Sequence, residues 1–164
     1  MIAVLQRVSS ASVVVDGQTV GAIGAGLLVL FCAEQGDTPV QVGKLLDKIL
    51  KLRIFNDPQG KMNRSLQDMD GQGRQGGLLI VSQFTLAADV TGGNRPSFTG
   101  AAAAADGRRL YETFVSDARL QHTDVQTGEF AANMQVALVN DGPVTIPIRI
   151  APPQSGLAIS ALAT

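Results

Sequence analysis

The chain opens with apolar residues in loose alternation, Ile2 to Val8 and again Ala11 to Val15, a pattern that predicts strands with one buried face. Asp16-Gly17 interrupts and Gln18 to Ala22 resumes, so strand, tight turn and strand are expected. Gly26 to Ala33 is a continuous apolar run, which reads as a central strand covered on both faces. The period changes after Asp37-Thr38-Pro39, an N-cap followed by Pro at a first helical position. Val42, Leu45, Leu46, Ile49 and Leu50 then recur at helical spacing, for a helix of about three turns. Lys44, Lys48 and Lys51 form one stripe on its other side, ordinarily a solvated face.

Asp57 to Gly77 is polar and rich in glycine, and Leu78 to Val81 then runs straight into Ser82-Gln83-Phe84-Thr85-Leu86. A loop from Asp89 to Ser97 leads to an alanine-rich stretch whose Leu110, Tyr111, Phe114 and Val115 fit a second helix, with Gly107 its weak point. Val125, Met134, Val136 and Leu138 return to strand spacing, and Val144 to Ile150 forms the last strand. The pattern describes one α/β domain over residues 1 to 150 and a tail, 151 to 164, whose conformation it does not fix.

Composition narrows the function classes. With 45% hydrophobic and 16% charged residues, part of the surface is expected to be apolar and covered by another subunit. A net charge of -1 argues against a protein that coats nucleic acid non-specifically. Cys32 is the only cysteine, so no intramolecular disulfide forms. Met1 to Arg7 lacks the features of a signal peptide, and no apolar run approaches membrane-spanning length; a soluble, cytoplasmic protein is expected. One His and one Cys leave no ligand-type spacing, so neither a metal nor a cofactor is expected.

Three single features carry little. Gly71-Gln72-Gly73-Arg74-Gln75-Gly76 matches G-x-G-x-x-G, but a strand follows where a dinucleotide site needs a helix, so it reads as a flexible loop. His122, expected in a strand, is the one imidazole that could serve a hydroxyl nucleophile. Cys32, inside an apolar run, reads as a small core residue.

Two polar clusters remain. Ser82-Gln83-Phe84-Thr85-Leu86 reads most simply as a strand end whose side chains cap nearby backbone, and Asn140-Asp141-Gly142-Pro143-Val144-Thr145 as a turn between two strands. Both resemble the signature motifs of the D-aminoacyl-tRNA deacylase family, in the same order and at a similar separation. The likeness extends to Val4 to Val8, Gly60 to Asn63, Gly93 to Phe98, Leu110-Tyr111 and Thr127 to Phe130, while the glycine-rich insertion before Leu78 and the tail after Ile150 depart from it.

The resemblance implies a barrel-like, mostly antiparallel sheet with two main helices, and a homodimer. The Gly142-Pro143 loop of one subunit would enter the other's pocket with a cis bond, and its carbonyls would accept from the substrate α-ammonium. Arg7 would brace that loop, Phe130 and Met134 would line the pocket, and Ser82, Gln83, Phe84 and Thr85 would form its floor. D-aminoacyl-tRNA and glycyl-tRNA are the implied substrates. Two rival readings stand beside it: a Thr85-nucleophile esterase or amidase using His122 as base, and a non-catalytic nucleotide- or RNA-binding protein of the same fold.

Overall fold

In the computed structural model, which describes residues 1–152, the chain forms one mixed sheet with two helices. Strand β1, Ile2–Val15, is its spine. On one side β1 pairs antiparallel with β2, Gln18–Ile23, and β3, Gly26–Cys32. On the other side it pairs antiparallel along most of its length with the final strand, β8, Gln135–Arg149. A two-residue turn at Asp16-Gly17 joins β1 to β2, as expected.

The apolar runs of β3 and of β6, Gly77–Ser82, are explained by burial on both faces. Leu27, Val29, Phe31, Leu78 and Ile80 point into a core shared with both helices. Their alternate neighbours Leu28, Leu79 and Val81 point into a second core with Val8, Ala11, Val13 and Ile23. β3 and β6 are parallel, and so are β6 and β7, Val125–Thr127. Parallel neighbours need long crossovers, and the helices supply them: α1, Pro39–Lys51, between β3 and β6, and α2, Ala104–Gln121, between β6 and β7. A Cβ on Gly21 of β2 would lie 2.4 Å from the Thr127 carbonyl of β7, an approach that only glycine permits and that nearly closes the sheet.

Helix α1 starts as its sequence predicts. Thr38 caps it, and Gln41 at N3 completes a capping box. The polar stretch after Asp57 hides a small hairpin of β4, Phe55–Asn56, and β5, Met62–Arg64. The following glycine loop is shaped by Asp68 and Asp70, whose carboxylates accept from the Gln72, Gly73 and Arg74 amides.

Two expectations change. His122 is not in a strand: α2 runs on to Gln121 and His122 ends it, donating its amide to the Ala118 carbonyl. The Gln121-His122-Thr123 run has no periodicity to reveal that. Asn140 to Thr145 is not a turn between strands but part of one 15-residue strand, β8, Gln135–Arg149. Gln6 of β1 pairs with Thr145 and Val8 with Asn140, two steps against five, so three extra residues bulge out of β8. The tail lies outside the described residues beyond Pro152. Among the described residues no helix is long and apolar enough to cross a membrane.

Candidate active site

A cleft of about 650 Å³ opens where β3 and β6 end. Phe31, Cys32 and Ala33 bring one side to it, Val81 to Phe84 another, Phe98 to Ala104 a third, and Phe130 to Met134 the rim towards β8. None of the residues lining it is ionised. Cys32, the one titratable group, has its thiol pushed up to about 11, chiefly by burial and then by nearby Glu34, so it stays protonated at neutral pH.

After β6 the chain turns at Gln83, whose amide donates to the Phe31 carbonyl at 2.7 Å, and enters a 3-10 turn, Phe84–Ala87. Gln83 Nε2 donates to Thr85 Oγ1 at 2.6 Å. Phe84 is 59% exposed, a large ring left in solvent except for an edge-on contact with Phe98, with centroids 5.1 Å apart. Phe130 packs on Tyr111, and the Arg108 guanidinium sits 4.7 Å above its ring. Buried Tyr111 donates to the Ile80 carbonyl, and desolvation raises its pKa to about 12, so it is a structural hydroxyl.

Ser82, Gln83, Phe84, Phe130 and Met134 therefore meet in one cleft, with Thr85 tied to it through Gln83. Arg7, Gly142 and Pro143 do not line it. Gly142 and Pro143 form the exposed crest of the β8 bulge, and the bond between them is cis. Arg7, 6% exposed, lies opposite the bulge in its own chain. Its Nε donates to the Asp141 carbonyl at 2.8 Å and lies 3.3 Å from the Asp141 carboxylate; its Nη1 donates to the Ile54 carbonyl at 2.6 Å.

Asn140, a residue given no role by the sequence, is the second support. Its Oδ1 accepts from the Val144 amide at 2.7 Å, and its Nδ2 donates to the Val144 carbonyl and to Thr145 Oγ1. The available signal was the residue type, since Asn readily bonds backbone a few residues on. Phe98, within the Gly93 to Phe98 segment, likewise has no role in the sequence pattern, and it walls the cleft.

His122 stands apart. It is buried, and its Nε2 lies 2.7 Å from the Gly76 carbonyl, at the start of β6. Ser82 closes the same strand, six residues or about 20 Å further on. No imidazole thus reaches Thr85 as a base.

A nearly closed mixed sheet carrying two crossover helices defines a compact α/β domain, with an uncharged cleft at one strand end and a propped backbone bulge. Residues 4–149 match the model of the D-Tyr-tRNA(Tyr) deacylase family, and the chain belongs to that family. It is 71% identical over 152 residues to the D-aminoacyl-tRNA deacylase of Polaromonas naphthalenivorans, covering 93% of this chain and 99% of the relative. The D-aminoacyl-tRNA deacylase of Albidiferax ferrireducens is 70% identical over 153 residues, with 93% and 96% covered. A solved structure, the c-Myc DNA Unwinding Element Binding Protein, superposes with a TM-score of 0.84 at 39% identity, covering 92% of this chain and 99% of that one.

Proposed function

We propose that this protein is a D-aminoacyl-tRNA deacylase: it hydrolyses the ester between a D-amino acid and the terminal ribose of tRNA, as its relatives are named for doing. One observation carries the reading beyond the names. The cleft has no anionic side chain to receive an α-ammonium, while the same chain holds out Gly142 and Pro143 where its own cleft cannot use them. A homodimer resolves both facts. The bulge of one subunit enters the other's cleft, and the Gly142 and Pro143 carbonyls accept from the ammonium.

With ammonium and ester carbonyl both pinned, only one direction at Cα stays open. An L side chain meets the inserted backbone, and a D side chain projects outward, so discrimination works by exclusion. Glycine has no side chain to exclude, and glycyl-tRNA is therefore a substrate too. The work belongs in the cytoplasm, where tRNA is charged.

The Phe84 and Thr85 amides open the 3-10 turn and so have no partner within it. They suit the oxyanion of the tetrahedral intermediate. Thr85 is held by Gln83 but has no base, so hydrolysis proceeds with a water positioned by the terminal ribose 2′-hydroxyl. Ester cleavage then gives free D-amino acid and intact tRNA.

Incubation with D-tyrosyl-tRNA and L-tyrosyl-tRNA tests the reading: release from the first and not the second is expected. Release of neither favours a non-catalytic nucleic-acid-binding protein, a reading to which the name of the DNA-binding structural relative lends weight. Thr85→Ala is expected to retain most turnover. Loss of nearly all turnover with binding and fold intact would defeat the ribose-assisted route.

A further inference from the structure

An uncharged cleft leaves the phosphates of a tRNA without a partner. We propose that the groove at the C-terminal end of α1, carrying Lys44, Lys48, Lys51 and Arg53, takes the sugar-phosphate backbone of the tRNA whose ester is cleaved; this rests on the function proposed above.

The groove holds about 290 Å³, and its one carboxylate, Asp47, is ion-paired with Lys51. Four cations against one anion make a local charge of +3. The whole chain carries -1, so everything outside the groove sums to -4. Positive charge is thus gathered here against the general balance, the footprint of a polyanion partner. The helix dipole accounts for Lys48 and Lys51 in the last turn. It does not account for Lys44, nearly two turns from the helix end; Arg53, beyond it, donates through Nε to the Asn63 carbonyl and keeps its other nitrogens for the groove.

Position strengthens the assignment. Arg53 is followed by Ile54, whose carbonyl Arg7 binds while also holding Asp141. One buried guanidinium therefore ties the residue next to the groove's Arg53 end to the base of the Gly142-Pro143 bulge. In the proposed dimer that bulge lies in the partner's cleft, so the Arg53 end of the groove is the end turned towards the partner's reaction site. Phosphates leading away from the ester then pass over it.

The test uses the full-length protein carrying Lys44→Gln and Lys48→Gln. Both side chains are exposed, neither is in an ion pair among the described residues, and Gln keeps a helix propensity close to that of Lys. Kinetics on D-tyrosyl-tRNA are followed from about 50 to about 200 mM salt, beside hydrolysis of 3′-O-(D-tyrosyl)adenosine, which has no phosphate. For the tRNA substrate, KM is expected to rise roughly tenfold at low salt with kcat within about twofold, and the salt slope to flatten by about one unit per lost contact. The adenosine ester should be cleaved as by the wild type, and Lys44→Arg with Lys48→Arg should restore the tRNA kinetics. Unchanged KM and slope would overturn the proposal, as would equal losses on both substrates. Were the wild type to cleave neither ester, the function reading would fall on its own; binding of uncharged tRNA over the same salt series, wild type against variant, would still decide the groove.

Discussion

Polar groups around the cleft are few and neutral: Ser82 and Gln83 at the floor, and backbone amides at the start of a 3-10 turn. The β8 bulge is held from two sides instead, by the buried guanidinium of Arg7 and by the amide of Asn140. One region turns its few polar groups on one another, Gln83 on Thr85, and the other spends side chains on fixing a short piece of main chain. The difference teaches where selectivity is stored. The cleft offers no anion to pair with an ammonium group, whereas the propped backbone holds its carbonyls in a set direction, so under the proposed function the handedness filter belongs to the bulge and the reaction to the cleft.

The strongest test of that division is Gly142→Ala. A Cβ there would lie 2.4 Å from the Val144 amide nitrogen and 2.7 Å from Val144 Cγ2. Val144 is buried, so its backbone has no room to retreat and the crest must change shape. Hydrolysis of D-tyrosyl-tRNA is expected to fall by at least roughly 100-fold, because displacements of about 1 Å cost that much in a positioned site. Wild-type rates in this variant would mean that the bulge takes no part. Arg7→Ala comes next. It strips the Ile54 and Asp141 carbonyls of a charged donor, and urea unfolding should show a loss of about 2–4 kcal/mol. Phe98→Leu, on the cleft wall, should cost only about 0.5–1.5 kcal/mol through its lost contact with Phe84, and should act on KM. Should the wall variant prove the more destabilising of the two, the contrast between a supported bulge and a lightly built cleft would not stand.

Much of this was legible in the residues, and the failures have physical causes. The continuous runs of β3 and β6 announced burial on both faces, and the cap and stripe of α1 read directly. The cleft floor came from the family resemblance, since on their own Ser82 to Leu86 read most simply as a strand end whose side chains cap nearby backbone. The bulge was misread as a turn because Asn, Asp, Gly and Pro favour both. What separates the two is the pairing of residues on either side with a single partner strand, and that is a long-range fact. The parallel pairs were hidden for the same reason, since strand direction depends on where the crossover helices return the chain. Arg7 could be matched to a brace, but no local pattern could reveal that one guanidinium also binds the Ile54 carbonyl, 47 residues away.

The remaining prediction concerns the other end of β8, and its effect vanishes in acid. There Arg149 grips Glu34 through Nη2 and Nε, at 2.7 and 3.1 Å, and Glu34 also accepts from the Met1 ammonium at 2.9 Å. Burial opposes ionisation of Glu34, but bonds from Arg149 and Met1 outweigh it and hold its pKa below the usual carboxylate value. A depressed folded-state pKa gives stability that is complete above the unfolded value, about 4.3, and lost as pH falls through the folded one. The wild type should therefore exceed Glu34→Gln by about 1–3 kcal/mol near neutrality, with the gap closing below about pH 4. Asp57, Asp70 and Asp89 also have lowered pKa values, set mainly by hydrogen bonds from nearby groups, but they are present in both proteins and cancel in the difference. Urea midpoints at neutral and acid pH measure the gap directly. A difference that stayed constant with pH would show that the Glu34 charge does not hold β8, leaving the bulge as the one part of that strand fixed by ionic contacts.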